Sequence, residues 1–144
     1  MINAYLDSAY LAKCYLEDPD SERVRNFVRT VKTLYSSALC IAEVSCTLHR
    51  AVRERTITKE RAAHLRQTFS GDLSQGVVQV IPVSESILRV VEAVVANLPP
   101  TIFIRAGDAV HLASAQSAGF PEIWSNDRHM LRAASNFGIV GRSV

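Results

Sequence analysis

Ile2-Asn3-Ala4-Tyr5-Leu6-Asp7 is the stretch on which the reading of this chain turns. It is a short, mostly apolar run with the character of a buried strand, and it ends abruptly on an acid before a helical pattern opens at Ser8. In open α/β sheets ligands collect outside the carboxyl ends of the strands, so an aspartate closing the first strand stands where chemistry is done. What matters next is which other residues the chain brings to that point.

Outward from Asp7, strand-like and helix-like segments alternate. Residues 8–16 carry apolar side chains at Ala9, Leu11, Ala12, Tyr15 and Leu16 and stop at Glu17-Asp18-Pro19, which predicts one short helix. Asp20 or Ser21 can cap a second helix running to about Val31, and 33–36 is a brief extended piece. From Ser37 a helix begins whose first half is almost wholly apolar, with Glu43 its only charge before His49 and Arg50. Residues 58–69 form the return arm of a helical hairpin at about 37–70, with Gly71 and Gly76 marking the exit. A clear strand at 77–82 leads to a helix at 85–97, capped by Ser84, with Ile87, Leu88, Val91, Val94 and Val95 inward. After Pro99 and Pro100 come a helix at 105–116 closed by Gly119, a strand at 122–125, a helix at 127–137 and an edge strand at 139–142. Strands separated by helices require crossovers, so the expected fold is a three-layer α/β/α domain with a mainly parallel sheet of about five strands. Residues 1–144 are expected to form a single domain.

Composition narrows the class. With 48% hydrophobic residues in 144, the chain can fill a core, and 21% charged residues at a net charge of +2 exclude a disordered or polycationic protein. Only Lys13, Lys32 and Lys59 among the 16 basic residues are lysine. Arginine suits bidentate contact with phosphate or carboxylate, and codon usage gives the same bias without a function. Residues 50–66 hold five arginines and a lysine against Glu54 and Glu60, a stripe that suits either a solvated helix face or a nucleic-acid track. Cys14, Cys40 and Cys46 are odd in number and lack C-x-x-C spacing, which fits buried thiols in a reducing cytoplasm rather than a zinc site. The N-terminus does not have the pattern of a signal peptide, and runs such as 77–83 and 90–98 are shorter than the about 20 residues a bilayer needs.

Four acids carry the candidate chemistry. Asp7 and Asp127 sit at strand-to-helix junctions, where aspartate is also a favoured cap. Glu43 shares a helical face with Leu39, Cys40, Cys46 and Thr47, and Asp108 shares one with Ile104, Leu112 and Ala115. A carboxylate on a core-facing stripe is costly unless it is paired, and for Asp108 a salt bridge to Arg105 one turn back is the structural alternative. Four carboxylates converging on one spot cannot all stay ionised unless a cation joins them. Oxygen-only ligation favours Mg²⁺ or Mn²⁺, and a hard metal that keeps its waters suits hydrolysis at phosphorus.

Tyr5-Leu6-Asp7-Ser8-Ala9, Ala42-Glu43-Val44, Gly107-Asp108-Ala109-Val110-His111-Leu112-Ala113 and Ser125-Asn126-Asp127-Arg128-His129-Met130-Leu131 occur in the order and at the separations of a known family. Over essentially its whole length the chain resembles a PIN-domain ribonuclease of the VapC toxin type. The resemblance implies that Asp7 and Asp108 bind metal most directly, that Glu43 and Asp127 complete the acidic site, and that Ser8, Ser125 and Asn126 support it. It further implies Mg²⁺- or Mn²⁺-dependent cleavage of RNA, often structured RNA such as tRNA, inhibition by a cognate VapB-like antitoxin, and a homodimer. Two positions depart from the family pattern: Gly107, where a larger apolar residue usually precedes the third acid, and Ala9, where many relatives carry a hydroxyl. The first is expected to loosen its helix and the second to thin the hydrogen bonding around Asp7.

Arg105, Arg128 and His129 lie beside the acids in sequence and are candidates for phosphate contact. His111 reads as a packed helical histidine, while His49 and His64 have no ligand partner at a metal-binding spacing. Leu11, Tyr15, Phe27 and Phe69 are either core or the lining of a groove for a partner segment. An aspartyl-phosphate enzyme is disfavoured by Ala9, where a second aspartate would be wanted. The alternative from another class is a catalytically silent RNA- or partner-binding PIN-like module whose acids form salt bridges.

Overall fold

Alternation along the first strand sorts the core into two halves. β1 (Ile2–Tyr5) sends Ala4, and Leu6 just beyond it, to one face and Tyr5 to the other, as the two-residue period of a strand requires. The computed structural model describes residues 1–144. Against the Ala4 face pack α1 (Ser8–Lys13), α2 (Ser21–Val28), α3 (Cys40–Arg53) and α4 (Lys59–Ser74), through Tyr10, Leu11, Val24, Leu48 and Phe69 among others. Against the Tyr5 face pack α5 (Glu85–Ala96), α6 (Ala106–Ser117) and α7 (Arg128–Ala133), the last continued by a 3-10 turn at Ala134–Phe137.

β2 (Val31–Ser37), β3 (Val78–Ile81), β4 (Glu122–Trp124) and β5 (Val140–Arg142) complete the strands. β1 pairs with β2, β2 with β3 and β4 with β5, every pair parallel. A bridge between Leu6 and Trp124 joins the two hydrogen-bonded sets, and the Asp7 N–H donates to the Trp124 carbonyl at 3.2 Å. The spatial order is therefore β3-β2-β1-β4-β5, with helices on both faces. The three-layer parallel α/β/α expectation holds, with the sheet divided into sets of three and two strands. The order reverses between β1 and β4, and such a switch point opens a crevice at the strand ends, where Asp7 lies.

Several boundaries move for identifiable reasons. The extended piece expected at 33–36 is the seven-residue β2, paired on both sides, so its neighbours rather than its mixed side chains set its length. The first two helices end at Lys13 and Val28, short of 16 and 31. α4 continues through Gly71 to Ser74, and the chain turns at Gly76, whose φ of +74° glycine adopts without strain. The helix expected at 127–137 divides into α7 and the 3-10 turn, with Asp127 outside it as the cap. In α5, Ile87 is buried but Leu88 and Val95 are 47% and 40% exposed, so its apolar stripe is wider than the surface it covers.

Gly141 sets how closely α7 approaches β5. A Cβ at this position would stand 2.8 Å from the Leu131 Cα and 3.0 Å from its carbonyl oxygen, and backbone atoms cannot swing aside. Gly141→Ala is expected to destabilise the protein by about 1–3 kcal/mol, the usual cost of overpacking. Thermal unfolding checks this, and a melting temperature equal to that of the unmodified chain would show that α7 shifts freely.

Candidate functional site

Four acids reach one cavity from the beginnings of four helices. Asp7 is the N-cap of α1, its Oδ1 accepting from the Tyr10 N–H at 2.9 Å. Asp127 is the N-cap of α7, accepting from the N–H groups of His129 at 2.9 Å and Met130 at 3.4 Å. Glu43 and Asp108 occupy the first turns of α3 and α6. Unpaired N–H groups and the positive end of the helix favour acids at these places, so local helix chemistry explains each one singly. Together they line one cavity of about 340 Å³ with Ser8, Arg50, Arg105 and His111.

Side-chain links tie the acids to one another. The Ser125 hydroxyl donates to Asp7 Oδ2 at 2.5 Å and accepts from the Asp127 N–H at 2.9 Å, coupling the ends of β1 and β4. Ser8 donates to Glu43 Oε1 at 2.8 Å, and His111 Nε2 lies 2.7 Å from the same oxygen. Arg105 spans two acids: Nε donates to Asp108 Oδ2 at 3.2 Å and Nη2 to Asp127 Oδ2 at 3.1 Å. The salt bridge considered as the structural alternative for Asp108 is thus present, and the same guanidinium reaches an acid 22 positions away.

Burial decides the protonation of Asp7. Desolvation pushes its pKa up from 3.8 to about 6, the charge of Asp108 adds to the rise, and the Ser125 hydroxyl and Tyr10 N–H restrain it. Glu43 behaves oppositely. Partial burial works upward on it, but the hydrogen bond from His111, then Ser8 and the charge of Arg105, hold its pKa below the usual carboxylate value.

The other expected residues separate into those at the cavity and those away from it. Ser8 and Arg105 line it, and Ser125 lies behind Asp7. Asn126 does not support the acids: it is exposed, and its amide donates to Asp20 Oδ2 at 3.4 Å. Arg128 and His129 are also exposed and outside the lining, with the His129 ring packed 4.7 Å from that of Phe103. The turn that makes Asp127 a cap directs the following side chains outward. Among the lining residues not singled out as site residues are two with ionisable or cationic side chains beside the acids, Arg50 and His111. Each carries a positional signal, since Arg50 lies two turns beyond Glu43 and His111 one turn beyond Asp108.

A second groove, of about 430 Å³, runs between α3, the start of α4 and the segment after α1, lined by Tyr15, Arg50, Ile57, Arg61 and Leu65 among others. It is larger than the acidic cavity but holds none of the four acids. Of the four residues considered for a partner groove, Tyr15 lines this one, Leu11 and Phe69 are core, and Phe27 packs 4.2 Å from Trp124.

The donor set is chemically suited to a hard dication: four carboxylates with the Ser8 and Thr47 hydroxyls dominate the lining, beside the single thiol of Cys46 and an imidazole, His111, already engaged with Glu43. As the side chains are turned, no three Asp, Glu, His or Cys groups close on a single point, and the positive charge between Asp108 and Asp127 is the Arg105 guanidinium. No helix is long and apolar enough to cross a membrane.

Residues 4–136 match the PIN domain family. Ribonuclease VapC46 of Mycobacterium tuberculosis is 29% identical over 142 residues, covering 96% of this chain and 95% of that protein. Among solved structures, VapBC2 from Rickettsia felis bound to a promoter DNA fragment superposes with a TM-score of 0.69 at 14% identity, covering 100% of this chain and 99% of that one. FitAB bound to an IR36 DNA fragment superposes with a TM-score of 0.71 at 15% identity, covering 99% and 94%. At such identities the two structures speak to the fold.

The raised pKa of Asp7 gives a stability signature in EDTA. The folded state holds this proton more tightly than the unfolded chain, so the stabilisation is complete below about pH 4 and is lost as pH rises through about 6. At about 1.4 kcal/mol per pKa unit, the loss is roughly 2–3 kcal/mol. Asp7→Asn removes this titration and is expected to exceed the unmodified chain in melting temperature at pH 7, with the gap closing toward pH 4. Parallel melting profiles across that range would show that the Asp7 charge costs nothing.

Proposed function

Because this chain belongs to the PIN domain family, we propose that it is a metal-dependent endoribonuclease toxin of the VapC type. It hydrolyses phosphodiesters in RNA, with tRNA or another structured RNA as the substrate, and a VapB-like antitoxin neutralises it. The observation that carries this is the meeting of Asp7, Glu43, Asp108 and Asp127, from four separate segments, on one open cavity. Residues 1–144 act as one nuclease unit, with α3 and α4 as its helical hairpin. The working form is a homodimer, and the absence of paired cysteines suits action in the cytoplasm.

Asp7 and Asp108 would hold Mg²⁺ or Mn²⁺ most directly, with Glu43 and Asp127 completing the acidic set. The metal, when bound, supplies charge neutralisation at the phosphate and lowers the pKa of a water. Ser125 keeps Asp7 and Asp127 in fixed relation through its two hydrogen bonds. Ser8 and His111 keep Glu43 ionised and oriented. Arg105 is largely exposed and is free to turn from the acids to a phosphate oxygen, and Arg50 offers a second cation on the cavity wall. The groove lined by Tyr15, Ile57 and Leu65 is the seat for the antitoxin segment.

Arg105 also favours a second reading. Its guanidinium compensates two of the four acids from within the chain, as expected of a silent RNA- or partner-binding module. Cleavage of a folded RNA pool with Mg²⁺ or Mn²⁺, beside EDTA and Asp108→Asn, separates the two. For the nuclease, EDTA abolishes products and the variant loses more than the ~100-fold typical of changing an outer-shell residue, with its melting temperature retained. For the module, no products form, calorimetry with Mn²⁺ gives no heat, and RNA binding falls steeply with salt.

A further inference from the structure

Tyr5, His111 and Glu43 form a line of hydrogen bonds from the core to the cavity. The Tyr5 hydroxyl is 2.9 Å from His111 Nδ1, and His111 Nε2 is 2.7 Å from Glu43 Oε1. Tyr5 and His111 are 0% and 1% exposed, and the histidine sits in the core half that holds Leu112, Ala113 and Met130. A leucine could occupy that volume at no cost in polar burial, so the imidazole needs a reason beyond packing.

Proton placement supplies one. An ionised Glu43 only accepts, so Nε2 carries the hydrogen that faces it. On the far side, burial pushes the Tyr5 phenol up and keeps it protonated, leaving its O–H available to hold Nδ1. Ser8 Oγ closes a triangle, 3.0 Å from Nε2 and 2.8 Å from Glu43 Oε1. Oε1 is thereby engaged twice, while Oε2 makes no hydrogen bond and lies beside Gly107, where a Cβ would be 3.6 Å away. One carboxylate oxygen is fixed, and the other is left for the site.

We propose that His111 is a positioning residue that, anchored by Tyr5, holds Glu43 by Oε1 so that Oε2 faces the reaction centre. This rests on the nuclease reading and on Glu43 belonging to the acidic set. Neither Tyr5 nor His111 touches substrate; both act through Glu43.

The test is a cycle of variants measured over a range of RNA concentrations at saturating Mn²⁺. His111→Leu fills the space without a donor, His111→Gln restores an N–H at similar reach, and Glu43→Gln removes the group acted upon. His111→Leu is expected to lower kcat on the order of 10- to 100-fold, the usual effect of an outer-shell partner, with KM for RNA unchanged. His111→Gln should recover most of that loss, and in the Glu43→Gln background His111→Leu should add no further loss. Nitrogen-15 spectra of the imidazoles, with the His111 signals identified by their absence in His111→Gln, should show Nε2 protonated. An active wild type with a bare Nε2, an unchanged kcat in His111→Leu, or full additivity with Glu43→Gln would overturn the proposal alone. An inactive wild type would instead sink the nuclease reading and the catalytic role together.

Discussion

Negative charge held in a confined space is the constraint on which the rest of this structure depends. Asp7, Glu43, Asp108 and Asp127 share one cavity, and Asp7 is 3% exposed. Placing each acid at the beginning of a helix helps, but the favourable term is about 0.3–1 kcal/mol apiece. Removing a carboxylate from water costs several kcal/mol even after relaxation, so helix position alone cannot balance the account. The remainder is visible in three compensations: a pKa for Asp7 raised to about 6, two hydrogen bonds to Glu43 Oε1, and one guanidinium between Asp108 and Asp127. A dication would serve the same electrostatic need with a larger charge.

The fold delivers the acids because its two core halves meet at the end of β1. Tyr5 and Leu6 point into opposite halves, and Asp7 follows at the seam. Glu43 arrives from α3 on one side of the sheet, and Asp108 and Asp127 arrive from α6 and α7 on the other. Ser125 crosses from β4 to Asp7, and His111 crosses from α6 to Glu43. The site is therefore also a junction between layers, and its hydrogen bonds hold the halves together while they aim the carboxylates.

Local chemistry was legible before the structure, and the long-range pairing was not. A short apolar run ending on Asp7, helix caps at Ser84 and Asp127, and acids on apolar helix faces all declare themselves within a few residues. Strand order, by contrast, depends on Leu6 meeting Trp124, more than a hundred residues apart. Periodicity identified Asp108 and His111 as members of one helix, but not that His111 turns to Glu43, 68 positions away. It also marked Leu88 and Val95 as inward, because an apolar stripe reports what a helix could cover and not what lies there. Asn126, Arg128 and His129 stand outside the cavity lining for a related reason. Adjacency to Asp127 in sequence does not survive the turn by which Asp127 caps its helix.

The two departures from the family pattern gain their meaning from geometry. Gly107 does not delay α6, which begins at Ala106, although glycine costs about 1 kcal/mol against alanine in a helix. Its missing side chain leaves clear the space beside Glu43 Oε2 and Leu39, where a Cβ would come into van der Waals contact with the Glu43 oxygen that has no hydrogen bond. Ala9 likewise does not leave Asp7 without support. The carboxylate accepts from Tyr10 on its own helix and from Ser125 at the end of β4. Support for Asp7 thus comes partly across the switch point rather than from α1 alone, so the position of this acid depends on β4 being docked against β1. In this chain, the geometry of the site and the joining of the two strand sets are the same interaction seen from its two ends.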